Sequence, residues 1–330
     1  MSDLRGSLAQ LAEARRLLDA GLNQALLDYL ADRSPGELRG SATLALFCGI
    51  AHARLGHHAE GRAWVGAALD RSRANRDPAV TARAHNALGL IALERGEVAE
   101  AERALGEAVE EARRADDDLT MGRASNNLGV LANLRGDYHR ALLWYGLALA
   151  AYERAGVRRV VADVHHNIGI TRRDQGRLPE ALEAAARAVE EAERAGDATL
   201  VGQTLAGRAE VRTALGDAPL GRKEAERALA IHRELGDPVR EAEDLRILAG
   251  AWMAAGERRE AERLLREAMD QAEAQGRILL AAAAERDLAR LLDSAGRKDE
   301  AREVAQTARN RFEKLGARVE VRKLEEFIAG

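Results

Sequence analysis

The chain has 330 residues, with 50 basic and 54 acidic side chains, a formal net charge of −4, 3% aromatics and one cysteine. A near-balanced charge offers no cationic surplus for nucleic acid or an anionic membrane. One cysteine builds neither a disulfide framework nor a zinc site, and so few aromatics leave the packing to small residues.

In chain order, residues 1–40 read as a degenerate capping hairpin. Leu4, Leu8, Leu11 and Leu18 fall on one helix, and Leu22, Leu26, Leu27 and Leu30 on the next, with Gly21 in the turn. Ser34-Pro35-Gly36-Glu37 is a capping box. The start, Met1-Ser2-Asp3-Leu4-Arg5, lacks the apolar core of a secretory signal. No stretch approaches the roughly 20 apolar residues of a membrane helix. A cytoplasmic location is therefore expected. The dominance of Arg over Lys, which occurs only at Lys223, Lys298, Lys314 and Lys323, fits a GC-rich bacterial genome. Cys48, inside the apolar run Ala45–Ile50, reads as a buried, inert thiol.

From residue 41 the chain repeats. Gly56, Gly96, Gly136, Gly176, Gly216, Gly256 and Gly296 are spaced forty apart, as are Gly156, Gly196, Gly236, Gly276 and Gly316. Ala68, Ala108, Ala148, Ala188, Ala228, Ala268 and Ala308 form a third column. A period of this size marks a solenoid of stacked supersecondary units. In residues 117–156, Asp117 or Asp118 caps a helix reaching Arg135, Gly136 ends it, Asp137 caps the next, and Gly156 closes that one. Asp77-Pro78 and Asp237-Pro238 give the same start signal. Small residues recur at the expected crossings: Gly49, Gly89, Gly129, Gly169, Ala209, Ala249 and Ala289 in the first helices, and Gly61, Ala101, Ala141 and Ala181 in the second. In the fifth copy Arg208 stands in an apolar column, and unpaired it would weaken that copy. Leu324, Phe327 and Ile328 lie on one face of a last helix.

Leu128-Gly129, Ala132, Gly136, Tyr138, Ala141, Tyr145 and Ala148-Leu149 together resemble the tetratricopeptide repeat signature. The usual repeat is 34 residues. This lengthened form resembles the repeats of kinesin light chains, spindle-orientation adaptors and the sensor regions of MalT-like regulators. The resemblance implies an all-α, right-handed superhelical solenoid of antiparallel helix hairpins. Seven 40-residue repeats would cover residues 41–320, between the hairpin of 1–40 and a capping helix at 321–330 that starts near 318. It also implies a concave groove lined by the first helix of each hairpin.

By register, that groove holds Arg83, Asn86, Arg123, Asn126, Asn127, Asn133, His166, Asn167 and Arg173. Asn is a mediocre residue inside a helix, but its amide bonds both the N–H and the C=O of an extended peptide. These nine residues are the expected peptide-binding strip. The resemblance does not extend to the clamp for a terminal carboxylate, because Leu90 and Asp163 stand where it needs an amide and a cation. Adjacent histidines such as His165 and His166 diverge by about 100° on a helix and do not share a metal. No phosphate loop or nucleophile elbow occurs, so no catalytic residues, metal or cofactor are expected. The expected role is a non-enzymatic scaffold or adaptor for a protein or peptide partner, without nucleic acid or membrane. The alternative is a regulatory sensor for a small effector or signalling peptide.

Overall fold

A computed structural model describes residues 2–329, the side chains of residues 2–8 excepted, so the expected roles of Leu4 and Leu8 lie outside the described residues. Among the described residues the secondary structure is eighteen helices and no strand. The expected two-helix cap is three helices: α1 Ser2–Asp19, α2 Asn23–Leu30 and α3 Pro35–Gly40. Pro35 disfavours a helical Ser34. α2 stops at Leu30, and Ser34 starts a new helix through a capping box with Glu37.

Helix pairs follow: α4 Ala42–Arg54 with α5 His58–Ala74, α6 Pro78–Glu94 with α7 Val98–Arg114, α8 Asp118–Leu134 with α9 Tyr138–Arg154, and α10 Val161–Asp174 with α11 Leu178–Ala195. Next come α12 Ala198–Ala214 with α13 Ala218–Leu235, α14 Pro238–Ala254 with α15 Arg258–Ala274, and α16 Ile278–Ser294 with α17 Lys298–Lys314; α18 Arg318–Ala329 is last. The caps are the expected ones. Asp77 accepts from Val80 N–H at 3.0 Å, Asp117 from Thr120 N–H at 3.0 Å, and Asp137 from Arg140 N–H at 3.1 Å. α10 begins late: Val157 stands in the column of Asp77, Asp117 and Asp197, and the helix starts instead after Val160, which has no capping side chain.

Each turn folds back the same way. Glu97 N–H donates to Ala92 C=O at 2.8 Å, across a left-handed Gly96 with φ +74°. Two non-glycines hold such turns, Arg76 at φ 55° and Asp116 at φ 49°. These are the turns between hairpins where the second glycine column is broken, and they keep the left-handed geometry despite its cost to an L side chain.

The chain forms two compact units, residues 1–128 and 129–330, with the boundary inside α8. In the first, Leu26, Leu30, Leu44, Phe47 and Cys48 join the cap to α4, and Leu46, Val65, Leu69, Val80 and Ile91 fill the space behind. Burial pushes the Cys48 thiol up to about 11, as expected of an inert cysteine. In the second unit the main cluster contains Leu205, Leu229, Leu245, Leu248, Leu265 and Leu288. Helices approach closely where residues are small: a Cβ on Gly89 would lie 2.6 Å from Leu105 Cγ, and one on Gly129 2.4 Å from Tyr145 Cε1. Arg208 does not weaken the fifth copy for want of a partner, since Glu224 of α13 pairs with it at 2.8 Å.

Two features of the second unit lie beyond the sequence pattern. The last helix returns to the first elements of that unit. Leu134 packs with Phe312 and Leu324, and a Cβ on Gly136 would lie 2.3 Å from Val319 Cγ2. In addition, His232 and Asp244 form a sealed pair, Nδ1 to Oδ2 2.6 Å, with His232 Nε2 3.2 Å from the Thr199 carbonyl. Both ring nitrogens face acceptors. The Asp244 carboxylate thus outweighs the effect of burial and holds the imidazole protonated above its usual range.

Glu285 on α16 is nearly fully buried. Burial pushes its carboxyl up to about 7; Arg311, 3.3 Å away, opposes this, and Glu273 adds to it. With an unfolded value near 4.5, the folded state holds this proton more tightly, so stability is lost as pH rises from 4.5 through 7. Arg311 keeps Glu273 when Glu285 is neutralised. Glu285→Gln is expected to be more stable than the parent at pH 8 by up to about 3 kcal/mol, the gain vanishing near pH 4.5. Urea unfolding across that range measures it.

Candidate functional site

The candidate strip lies on first helices. In the first unit, Arg83 and Asn86 sit one turn apart on α6, and Arg123, Asn126 and Asn127 repeat the spacing on α8. Asn127 Nδ2 donates to Asn86 Oδ1 at 3.1 Å, so an amide pair bridges the two helices. The bond uses one donor of Asn127 and one lone pair of Asn86, and leaves Asn86 its donors and Asn127 its acceptor. Arg83 Nε lies 3.2 Å from Asp117 Oδ2. Burial would raise the Asp117 carboxyl, but bonds from Thr120 and Arg83 outweigh it and lower it. Arg123 is exposed. Arg54 donates to the Leu18 carbonyl at 2.9 Å, and burial lowers its affinity for its proton, helped by the charge of Arg123. Arg54, Arg83 and Arg123 give this face a positive character that Asp117 offsets only in part.

The second unit uses its own first helices differently. Asn133 Nδ2 donates to Asp174 Oδ2 at 3.1 Å, and Asp174 Oδ1 pairs with Arg173 at 2.9 Å. Arg173 also pairs with Glu210. Arg246 bridges Glu210 at 3.0 Å and Asp287 at 2.9 Å. Arg286 joins Asp287 at 2.8 Å to Glu320 at 2.9 Å, and Lys323 completes the series at 2.8 Å. One line of alternating charge thus links α8, α10, α12, α14, α16 and α18. Burial alone would raise the Glu210 carboxyl, but Arg173, Arg246 and Arg286 bring it down to about 2. Arg246 is only 11% exposed, and Glu210 and Asp287 hold its proton more tightly despite burial.

Two of the expected strip residues have partners or packing of their own. Arg173 is already held by Asp174 and Glu210, so its charge is spent within the unit. His166 is buried, its ring fitting against Gly207, where a Cβ would lie 2.5 Å from Cε1; burial lowers its basicity to about 4. Asn167 is half-buried on the same helix. The residues that sequence reasoning missed are Glu210, Arg246, Arg286, Asp287 and Glu320. Their signal was a charge inside each successive first helix, Arg246 and Arg286 being forty apart. Among the described residues no group of three His, Cys, Asp or Glu is placed to hold a metal, and no helix is long and apolar enough to cross a membrane.

The tetratricopeptide repeat family model matches residues 80–154. No curated protein matches the chain in sequence. Solved structures share its fold. A Rap protein complexed with competence and sporulation factor is 14% identical, with a TM-score of 0.63, over 98% of this chain and 97% of that one. The Rap conjugation gene regulator of plasmid pLS20, in complex with the Phr* peptide, is 16% identical with a TM-score of 0.70, over 85% and 76%. Aspartyl phosphate phosphatase F from Bacillus subtilis is 13% identical with a TM-score of 0.65, over 87% and 75%. The chain has the fold of tetratricopeptide-repeat structures, an all-α solenoid of antiparallel helix hairpins, and residues 80–154 match the repeat in sequence.

Removing one member of a buried ion series leaves its partners with fewer counter-charges, here Glu210 with Arg173 and Asp287 with Arg286. Arg246→Met leaves Glu210 and Asp287 facing each other across a lost cation, and is expected to cost about 3 kcal/mol in chemical unfolding.

Proposed function

We propose that the protein is a non-enzymatic adaptor that grips an extended peptide segment of a partner protein on the first-helix face of its first unit, through Arg83, Asn86, Arg123, Asn126 and Asn127. The observation that carries this reading is the Asn127–Asn86 amide pair between neighbouring first helices. An extended segment presents backbone donors and acceptors along its length, and the pair retains both donor and acceptor capacity to meet them. The arginines favour a segment of acidic character, with an attraction that salt weakens. Two solved structures of like fold are complexes, one with competence and sporulation factor and one with the Phr* peptide, which supports the reading. The likeness to a phosphatase brings the fold and not its chemistry. In this proposal Asn133, His166, Asn167 and Arg173 belong to the framework of the second unit. Each amide bond to peptide backbone contributes on the order of 1 kcal/mol. Asn86→Ala with Asn127→Ala should therefore weaken binding of a fluorescent pool of acidic decapeptides roughly tenfold to thirtyfold with helicity unchanged. Unchanged affinity, or no binding by the parent, would sink it.

The return of α18 favours a second reading, a regulatory sensor whose state is relayed through that contact. It rests on the packing of Leu134 and Gly136 against the C-terminal elements. Hydrogen exchange over residues 318–329 should then change when the peptide pool is added; identical exchange with and without peptide leaves the adaptor alone.

A further inference from the structure

The outer faces of the second helices carry polar, charged or alanine side chains at two matched positions, and one helix carries leucines there. At matched positions forty or eighty residues apart, α7 carries the ion pair Arg103–Glu107, α11 carries Glu183–Arg187 and α15 carries Arg263–Glu267. α9 carries Leu143 and Leu147 there. They are 57% and 54% exposed, against 49% for Leu22 and 48% for Leu235. Gly146 and Ala150 are exposed on the same face, with Arg140 one turn before and Glu153 one turn after. This is a face of two apolar knobs and two gaps, flanked by opposite charges.

We propose that α9 packs antiparallel against α9 of a second copy of this chain, making a two-fold dimer. A two-fold interface needs a patch that complements itself, and this register satisfies every position. With the axis between Gly146 and Leu147, Leu147 meets Gly146 of the second copy and Leu143 meets Ala150. Small residues opposite leucines let the helices close to about 8 Å. The same register sets Arg140 opposite Glu153, twice by symmetry. A parallel pairing would set Arg140 against Arg140 and leucine against leucine, so the charges choose the antiparallel arrangement. The rim is polar, through Glu183 and Arg187 on the neighbouring α11, as expected of an interface that exchanges with monomer.

Sedimentation velocity of the full chain over a dilution series tests this. The parent should show a monomer–dimer equilibrium that shifts to monomer on dilution. Leu143→Arg with Leu147→Glu installs the charge pair that α7 carries naturally, so helicity and thermal unfolding should hold while dimerisation weakens about a hundredfold or more. Arg140→Glu should weaken the dimer, and adding Glu153→Arg should restore it, since the swap rebuilds both pairs with signs exchanged. A parent that is monomeric at every concentration overturns the proposal, whether or not another protein takes the face. So does a dimer indifferent to the leucine substitutions, or a charge reversal that its partner change does not rescue.

Discussion

Each hairpin depends on one contact, the close approach of its first helix to its second at a column of small residues. Where Gly49 meets Val65, a Cβ would lie 2.5 Å from Val65 Cγ2. With no side chain between them, neither helix can slide or splay without opening a void. That contact fixes the crossing, and the crossing fixes where each turn must fall. The turns between hairpins are equally uniform: Arg76 and Asp116 adopt the left-handed φ there even though their side chains disfavour it. A helix pair of constant geometry also places each first helix in the same relation to the next within a unit. Side chains about forty residues apart then meet as neighbours, as Asn86 and Asn127 do.

Along their own first helices the two units contain opposite electrostatic solutions. The first presents amides and arginines with few carboxylates, a surface that gains from a partner's acceptors and negative charge. The second satisfies itself: Glu210 lies between Arg173 and Arg246, and Asp287 between Arg246 and Arg286. In a semi-enclosed setting each charge is strengthened by its neighbours and costly to strand. A ligand entering there would have to break bonds already made. This asymmetry is why the proposed recognition surface lies on the first unit.

The repeat, the hairpins, the caps and the small-residue contacts were legible because each is local or strictly periodic. Asp77, Asp117 and Asp137 lie where a helix start needs an acceptor, and the glycines where a chain must turn. The three-helix cap was harder: the capping box at Ser34 marks a helix start, but leucine spacing alone does not reveal that α2 stops at Leu30. The pairing of Arg208 with Glu224 could not be read, since both lie in repeats rich in charge and only geometry selects among partners. Arg173 looked like a cation waiting for a ligand because the sequence does not show that Glu210 lies within reach. The burial of His166 depended on Gly207, one hairpin away, providing the room.

The return of α18 to Leu134 and Gly136 also bears on how such a chain can evolve. Open arrays gain and lose repeats by unequal exchange between like segments, and the stack simply grows or shrinks. In the second unit four hairpins, α10 to α17, stand between the two partners of the closing contact. Inserting or deleting one would carry Val319 past Gly136 or stop it short, and would break the run of charge that ends at Glu320 and Lys323. The closing contact therefore fixes the number of hairpins between them as a whole, much as closure fixes the number of strands in a barrel.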